Sequence, residues 1–331
     1  MRVLVWSINY APEATGIAPC NVALCEYLLS QGHEVEMVTT FAYYPMWAKR
    51  PEDCGLLYRT DMLNGVPVHR CWHYVPAKVK AWKRIVHEAS FVVTSFVRVL
   101  SCPRPDVMVV VSPPLLLGAA AWLVSVFRRV PFLFHVQDLQ PDAAIGLGML
   151  KTGAVSRVLY GLEALAYRAA ARVSGITQGM LTAFTRKGVP KEKQRYLPNG
   201  VALPDLSGLP LAGHFRQRLG IPPEALLAVY SGNLGVKQGL PILIEAAALC
   251  KEPRVQVVIC GDGAEREALA ARVAECGLKN VRLVPLQDRQ GYEEMLVDAD
   301  LCLITQQVGT GQFFFPSKLL TTLAFRKPVL A

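Results

Sequence analysis

Residues 107–127 read VMVVVSPPLLLGAAAWLVSVF, 21 positions without a single charge. A run of that length is long enough to cross a bilayer as a helix. The β-branched start and the pair Pro113-Pro114 point elsewhere. Prolines break a helix in mid-course, which leaves only about a dozen helical residues behind them. The stretch therefore predicts a buried strand, a turn and a buried helix. The same alternation continues outward in both directions. β-rich runs at 3–8, 34–39, 132–136, 172–175, 227–231, 256–260, 281–284 and 301–305 alternate with helical patterns such as 18–30, 155–171, 241–250 and 264–276. That order predicts an α/β fold of doubly wound parallel sheets covered on both faces.

The chain has 331 residues, room for two domains at about 150 residues each. A loop rich in Pro, Gly and Asp, from Pro198-Asn199-Gly200-Val201 to Pro210, interrupts the alternation and predicts the boundary. The expected domains are 1–200 and 201–331. Charge divides at the same place. Residues 1–200 hold 22 Lys/Arg against 13 Asp/Glu, and residues 201–331 hold 13 against 13. A basic first half suggests an anionic partner.

Composition excludes several classes. With 52% hydrophobic and 18% charged residues the chain is neither disordered, collagen-like nor a coiled coil. Nine cysteines, an odd number with no CxxC pair, predict a reducing compartment and no disulfide framework. The apolar run at 3–8 is too short for a signal-peptide core. No aromatic-basic motif supports nucleic-acid binding.

Two doubly wound domains put a ligand at the carboxyl ends of their strands, in the cleft between them. The dinucleotide fingerprint is missing: Gly261-Asp262-Gly263 has no third glycine, and the loop after the first strand has no GxGxxG. Other loops carry a phosphate signature. Gly232-Asn233-Leu234-Gly235-Val236-Lys237-Gln238-Gly239 follows one strand and Gly261-Asp262-Gly263 the next, while Pro316-Ser317-Lys318 precedes a helix. Glycines let main-chain N–H groups approach phosphate oxygens, and Lys237 and Lys318 supply full charges. Taken alone, the first loop reads equally as a glycine-rich turn with a surface lysine. Three such loops on one sheet edge describe a diphosphate site better.

The order of these motifs is specific. The Gly16 loop, His135, Pro198-Asn199-Gly200-Val201, the two glycine loops, Ala299-Asp300, Pro316-Ser317-Lys318 and Lys327-Pro328-Val329 together resemble the family 4 retaining glycosyltransferases of GT-B fold, over essentially the whole chain. Ser112-Pro113-Pro114 and the 135–142 stretch, HVQDLQPD, look like the branch that builds bacterial exopolysaccharides and O-antigens. The resemblance implies a nucleotide-sugar donor, GDP-fucose in particular, and a polyprenyl-diphosphate-linked acceptor. Neither a cofactor nor a metal is expected. It implies that Gly16, with Thr15 and Ile17, approaches the donor phosphates, and that His135 approaches the donor sugar. Read on its own, His135 is also a candidate for a satisfied core histidine. Asp138 and Asp142 are candidates for acceptor hydroxyls or for capping the next segment.

Two departures from the family stand out. The cations that grip the diphosphate are replaced by Asn233 and Gln238, with Lys237 one residue early. The slots of the Glu-x7-Glu motif hold Phe313 and Thr321, and Ser317-Lys318 lies between them as the alternative cation. The resemblance implies an active but divergent donor pocket; a catalytically silent GT-B partner subunit or inactive fragment is the alternative. Asp298-Ala299-Asp300 spells a metal-binding DxD, but its place at a helix-to-strand turn argues for acids in a turn. His69 and His73 fall in an alternating, strand-like run and need not share a helix face. Family members continue beyond Ala331, so the second sheet is expected to lack its last strands.

The stretch 77–101 predicts one helix. Trp82, Ile85, Val86, Ala89, Val93, Phe96, Val97 and Leu100 share one face, and Lys80, Lys83, Arg84, His87 and Arg98 the opposite one. An ordinary domain helix buries the apolar side and leaves the basic side in solvent. Here the basic side, through Lys80, Lys83 and Arg84, is expected to dock on an anionic cytoplasmic membrane surface. The protein is then cytoplasmic, peripheral at the inner face of the membrane.

Overall fold

The computed structural model describes residues 1–13, 16–44, 46–78, 81–146, 148, 150, 153–201, 203–205, 208–309 and 315–331. It divides into two compact units: Met1–Gly200 together with Phe315 form the first, and the remaining described residues from Val201 onward form the second.

The first unit is built on strands β1 (Arg2–Trp6), β2 (Glu34–Thr40), β3 (Tyr58–Leu63), β4 (Val66–Cys71), β5 (Val107–Ser112), β6 (Phe132–Val136), β7 (Arg172–Gly175) and β8 (Gln194–Tyr196). They form one sheet in the order β3-β4-β2-β1-β5-β6-β7-β8, parallel except for the β3–β4 hairpin. Successive side chains of a strand point to opposite faces. Val3 and Val5 therefore enter the core under α1 (Ala18–Ser30), while Leu4 and Trp6 enter the core on the other side. That second core is closed by α2 (Ala81–Ser101), α3 (Leu116–Arg128), α5 (Ala154–Ala169) and α6 (Gln178–Arg186), with the short α4 (Gln140–Gly146) beside α5. The 107–127 stretch is thus a strand, a turn and a helix.

Helix α2 corrects the sequence reading. Its inward side is His87, Phe91, Ser95 and Val99, all buried, and Ser95 accepts a hydrogen bond from the Trp6 indole at 3.0 Å. The stripe expected to be one half of an amphipathic core helix faces out instead: Trp82 is 60% exposed, Ile85 60%, Val93 66% and Val97 55%. The periodicity was legible, and its direction was not. Phe91 at the centre of the supposed basic face is the residue that fixes the orientation. Helix α3, expected to be buried, is also buried on one side only: Leu117, Ala121 and Val124 face in, Val126 and Phe127 face out.

The second unit holds β9 (Leu226–Ser231), β10 (Val255–Cys260), β11 (Val281–Val284), β12 (Leu301–Leu303) and β13 (Val329–Leu330), all parallel in the order β11-β10-β9-β12-β13. Helices α7 (His214–Leu219), α8 (Pro241–Leu249), α9 (Arg266–Glu275), α10 (Arg289–Asp298) and α11 (Lys318–Ala324) complete it. Leu227, Val229 and Val258 pack with Phe215 of α7 and Met295 of α10; Ala228, Tyr230 and Ile259 pack with Ile244 of α8 and Leu269 of α9. Both cores are apolar, and the polar chemistry is left to the loops at the strand ends.

Candidate functional site

The carboxyl edge of the second sheet carries the arrangement that the glycine loops predict. After β9 the chain turns through Gly232, whose N–H donates to the Cys260 carbonyl at 3.0 Å. Leu234 N donates to the Asp262 carbonyl at 2.8 Å, and Glu265 N donates to the Leu234 carbonyl at 2.9 Å. The loops after β9 and β10 are therefore joined main chain to main chain. Glycine is required on the β10 side: a Cβ on Gly261 would lie 1.9 Å from the Gly232 carbonyl oxygen, and one on Gly263 would lie 2.4 Å from that of Leu234. Asn233, exposed, extends its amide between Gly235 and Gly263. Lys237 and Gln238 sit in a single 3₁₀ turn, Val236–Gln238, closed by Gly239 at φ 60° before α8 begins. The first loop thus reaches its helix through this turn rather than opening it directly.

The third loop delivers Lys318. Its ammonium is buried without a hydrogen-bond partner, sits 3.5 Å from the centre of the Tyr230 ring, and lies 3.3 Å from where a Cβ on Gly232 would be. Tyr230 is itself fixed by donating its hydroxyl proton to the Asn233 carbonyl at 2.9 Å. Burial, and then the charge of Lys237, pull the Lys318 pKa from its ordinary value down to about 7. Two cations thus bear on one partly desolvated space. Ser317 is exposed and forms no capping bond, and α11 spans just seven residues, so the charge there comes from Lys318 itself. Gln238 Oε1, Glu265 Oε2 and Thr305 Oγ1 are also buried without partners, each on a loop at this same edge. Buried polar groups are ordinarily bonded. Four such atoms lie along one sheet edge, an arrangement that a polar ligand would complete. Sequence reading found Gln238 and Lys318; Tyr230, Glu265 and Thr305 carry no motif. Thr321, in the slot of the family's ribose-holding Glu, shares a hydrogen bond with Tyr292. Phe313 lies outside the described residues.

In the first unit His135 ends β6 fully engaged. Gln137 Nε2 approaches His135 Nε2 at 2.8 Å, His135 Nδ1 meets Ser174 Oγ at 2.8 Å, and Gln137 and Asn199 exchange a pair of amide bonds at 2.7 and 2.8 Å. An amide N–H can only donate, so Nε2 accepts and Nδ1 carries the proton. Burial lowers the imidazole pKa to about 4 and keeps it neutral. As placed, His135 is a satisfied core residue. Asp142 is taken up by Lys187, which also holds Glu163 at 2.6 Å. Asp138 is half-buried and within electrostatic reach of Arg84. Gly16 adopts φ 68° beside the Tyr44 ring. The loop before it is held by buried Glu13, which accepts from Tyr43 N and Tyr44 N, both at 2.9 Å; nothing in the sequence singled that carboxylate out.

The remaining sequence signals resolve into structure. Asp298 accepts from Gly213 N and Arg216 N, and Asp300 from Arg216 and Leu227 N, so the DxD acids anchor α7. Glu36, His69 and Cys102 bring possible metal-ligating atoms within 4.8 Å of one another. Arg98 donates to His69 Nδ1 at 2.7 Å, which leaves the proton on Nε2, facing Glu36 at 3.0 Å. That imidazole has no lone pair to offer a metal. Arg84 pairs with Glu88 at 3.2 Å, Lys83 lies over Trp82, and Lys80 lies outside the described residues.

Residues 15–200 match the model of the glycosyl transferase 4-like domain, and residues 213–331 match that of the glycosyl transferases group 1. The chain belongs to this glycosyltransferase family. It is 32% identical over 337 residues to the putative colanic acid biosynthesis glycosyl transferase WcaI of Escherichia coli K12, covering 98% of this chain and 81% of that protein. Among solved structures it resembles HepE of Anabaena in complex with UDP (TM-score 0.68, 18% identity, 100% of this chain and 80% of that one). It also resembles sucrose-phosphate synthase of Thermosynechococcus elongatus (TM-score 0.73, 18% identity, 99% and 80%). The fold is GT-B, with two Rossmann-like domains.

Proposed function

We propose that this glycosyltransferase moves a sugar from a nucleotide-diphosphate donor to a polyprenyl-diphosphate-linked saccharide in exopolysaccharide assembly of the colanic-acid type. The observation that carries the donor half is the buried Lys318 ammonium: it has no partner, lies beside a glycine that leaves the space open, and stands near a second cation at Lys237. A diphosphate satisfies the Lys318 charge. The glycine loops offer main-chain N–H groups, and the cations stabilise the leaving diphosphate without a metal. The name of the E. coli relative supports the pathway class, and the UDP and UDP-glucose of the HepE structures support a nucleotide-sugar donor. GDP-fucose is the donor this reading tests first.

In the reaction the bond between the anomeric carbon and the donor phosphate oxygen breaks, and a bond to the acceptor hydroxyl oxygen forms on the same face. The acceptor proton passes to the departing phosphate. Configuration is retained, as the family resemblance implies. The polyprenyl tail confines the acceptor to the bilayer, so the enzyme works at the inner face of the cytoplasmic membrane, with the first domain towards the acceptor.

The test is transfer from GDP- and UDP-sugars to a lipid-linked bacterial acceptor, with the anomeric configuration of the product read by NMR. Retained product supports the reading. Tight nucleotide-sugar binding with no transfer to any lipid-linked acceptor supports the silent partner subunit instead.

A further inference from the structure

A lysine keeps its proton because water or an anion accepts hydrogen bonds from it. Lys318 has neither: its ammonium is buried, finds no hydrogen-bond partner, and faces the Tyr230 ring at 3.5 Å. Its neighbours offer no compensating charge. Lys318 borders a small cavity with Ser231, Tyr292 of α10 and Cys302 of β12. Burial raises the pKa of Tyr230, Tyr292 and Cys302, so all three stay neutral. Glu265, on the loop after β10, acts on the Tyr230 hydroxyl. The charge that acts on Lys318 itself is the like charge of Lys237. A lysine desolvated in an apolar setting and placed beside a second cation becomes a nucleophilic amine at neutral pH. One side of it is bare backbone: a Cβ on Gly232 would lie 3.3 Å from Nζ, and glycine puts nothing there.

We propose that Lys318 Nζ is an acylation site for small acyl phosphates, whose phosphate takes the place of the donor diphosphate beside the 232–239 and 261–263 loops. Acylation then closes the site to its nucleotide. The proposal rests on the donor reading for that phosphate seat and adds a covalent regulation of the same site. The Nζ lone pair attacks the acyl carbon. The bond from that carbon to the bridging phosphate oxygen breaks, and the electron pair leaves with inorganic phosphate. The nitrogen releases one proton to solvent and remains as a neutral amide. The product has lost the charge that the diphosphate would meet and carries an acyl group beside Gly232. Thioesters deliver the same acyl group, but a simple one brings no anion for the loops and cations to hold.

The test treats the full chain with acetyl phosphate at pH 7.5 and follows each lysine by peptide mass spectrometry. Lys251 and Lys279, exposed in the same unit, are the internal references. The gain in neutral amine outweighs the lower intrinsic nucleophilicity, so Lys318 should react about ten-fold faster than either. Its rate should level off above about pH 8, while the references keep rising about ten-fold per pH unit. Pyrophosphate should protect Lys318 and leave the references unchanged. The acetylated protein should bind UDP and GDP about 10-fold or more weakly. A Lys318 rate no higher than that of the references, or one that climbs in parallel with them to pH 9, overturns the proposal. S-acetyl-N-acetylcysteamine, a phosphate-free thioester, should show a much smaller preference for Lys318; an equal preference removes the phosphate seat and overturns it too. Protection by pyrophosphate but not by UDP or GDP leaves acylation standing and refutes the donor reading. UDP or GDP binding with no acetylation of Lys318 refutes acylation alone.

Discussion

The Lys318 ammonium rests 3.5 Å from the centre of the Tyr230 ring, and that aromatic face is its compensation for burial without a hydrogen-bond partner. Function and stability therefore pull in opposite directions at this position. Lys318→Met should weaken nucleoside-diphosphate binding by about 10- to 150-fold, the value of one charge-assisted contact. The same change removes a buried unpaired charge and should raise the melting temperature of the free protein by about 2–4 °C. Titration calorimetry and a thermal scan on one sample read both signs. Unchanged affinity in the folded variant removes Lys318 from the donor site.

The pH dependence follows from the same lysine. Its folded pKa, about 7, lies below the ordinary lysine value of 10.5. The destabilisation it causes is fully present below pH 7 and fades as pH rises towards the unfolded value, so this group makes the free protein more stable in mild alkali. An anion restores the charged form. Nucleoside-diphosphate binding near pH 8 should take up a proton, visible as a binding enthalpy that changes with the buffer's ionisation enthalpy, and affinity should fall from pH 6.5 to 9. Buffer-independent enthalpy at pH 8 would contradict the assignment.

Gly261→Ala should be severe. The new methyl would sit 1.9 Å from the Gly232 carbonyl oxygen, so one loop must move off the other. A loss of about 2–4 kcal/mol in stability is expected, with nucleotide binding abolished in whatever remains folded. Gly277→Ala meets no atom within 4 Å and strains only its own φ of 61°, which makes it the control. Equal stability of the two variants would refute the close contact.

His135→Ala should cost about 1–3 kcal/mol, because it leaves Ser174 and Gln137 short of a partner in a buried chain. Nucleotide affinity should not change. In the wild type this imidazole, with a folded pKa of about 4, contributes stability that is lost as pH falls from 6.5 through 4, and the variant should lose that part of the acid transition. If transfer collapses while the melting temperature holds, His135 touches the sugar and its bonds rearrange on binding.

Much of this was legible in the amino-acid order. The glycines at 261 and 263 are legible because a close main-chain approach admits no other residue, and those at 232 and 239 because the chain turns there with positive φ; both demands are written in the sequence itself. The strands were found because buried parallel strands are continuous apolar runs. Lys318 was recognised as a cation near a helix start. Tyr230 beneath it and Glu13 between two loops were missed because neither partnership leaves a local pattern; each joins residues from separate parts of the chain. Helix α2 was turned the wrong way because a hydrophobic period gives the existence of a stripe but not what covers it. Phe91 and Ser95, reaching Trp6 across the sheet, settled that question.

The seam between Gly232–Leu234 and Asp262–Glu265 is sewn by amide and carbonyl groups that every amino acid possesses. Its geometry is consequently indifferent to most side-chain drift, provided the few glycines stay. An architecture of that kind can be inherited long after its sequence has become unrecognisable, which accords with a shared fold at 18% identity. If the proposed donor site holds, discrimination among donors falls to side chains at the periphery of the cradle, such as Asn233, Gln238 and Thr321, where exchange disturbs no main-chain bond. Altered donor choice should therefore be reachable by few substitutions, and loss of the cradle by one.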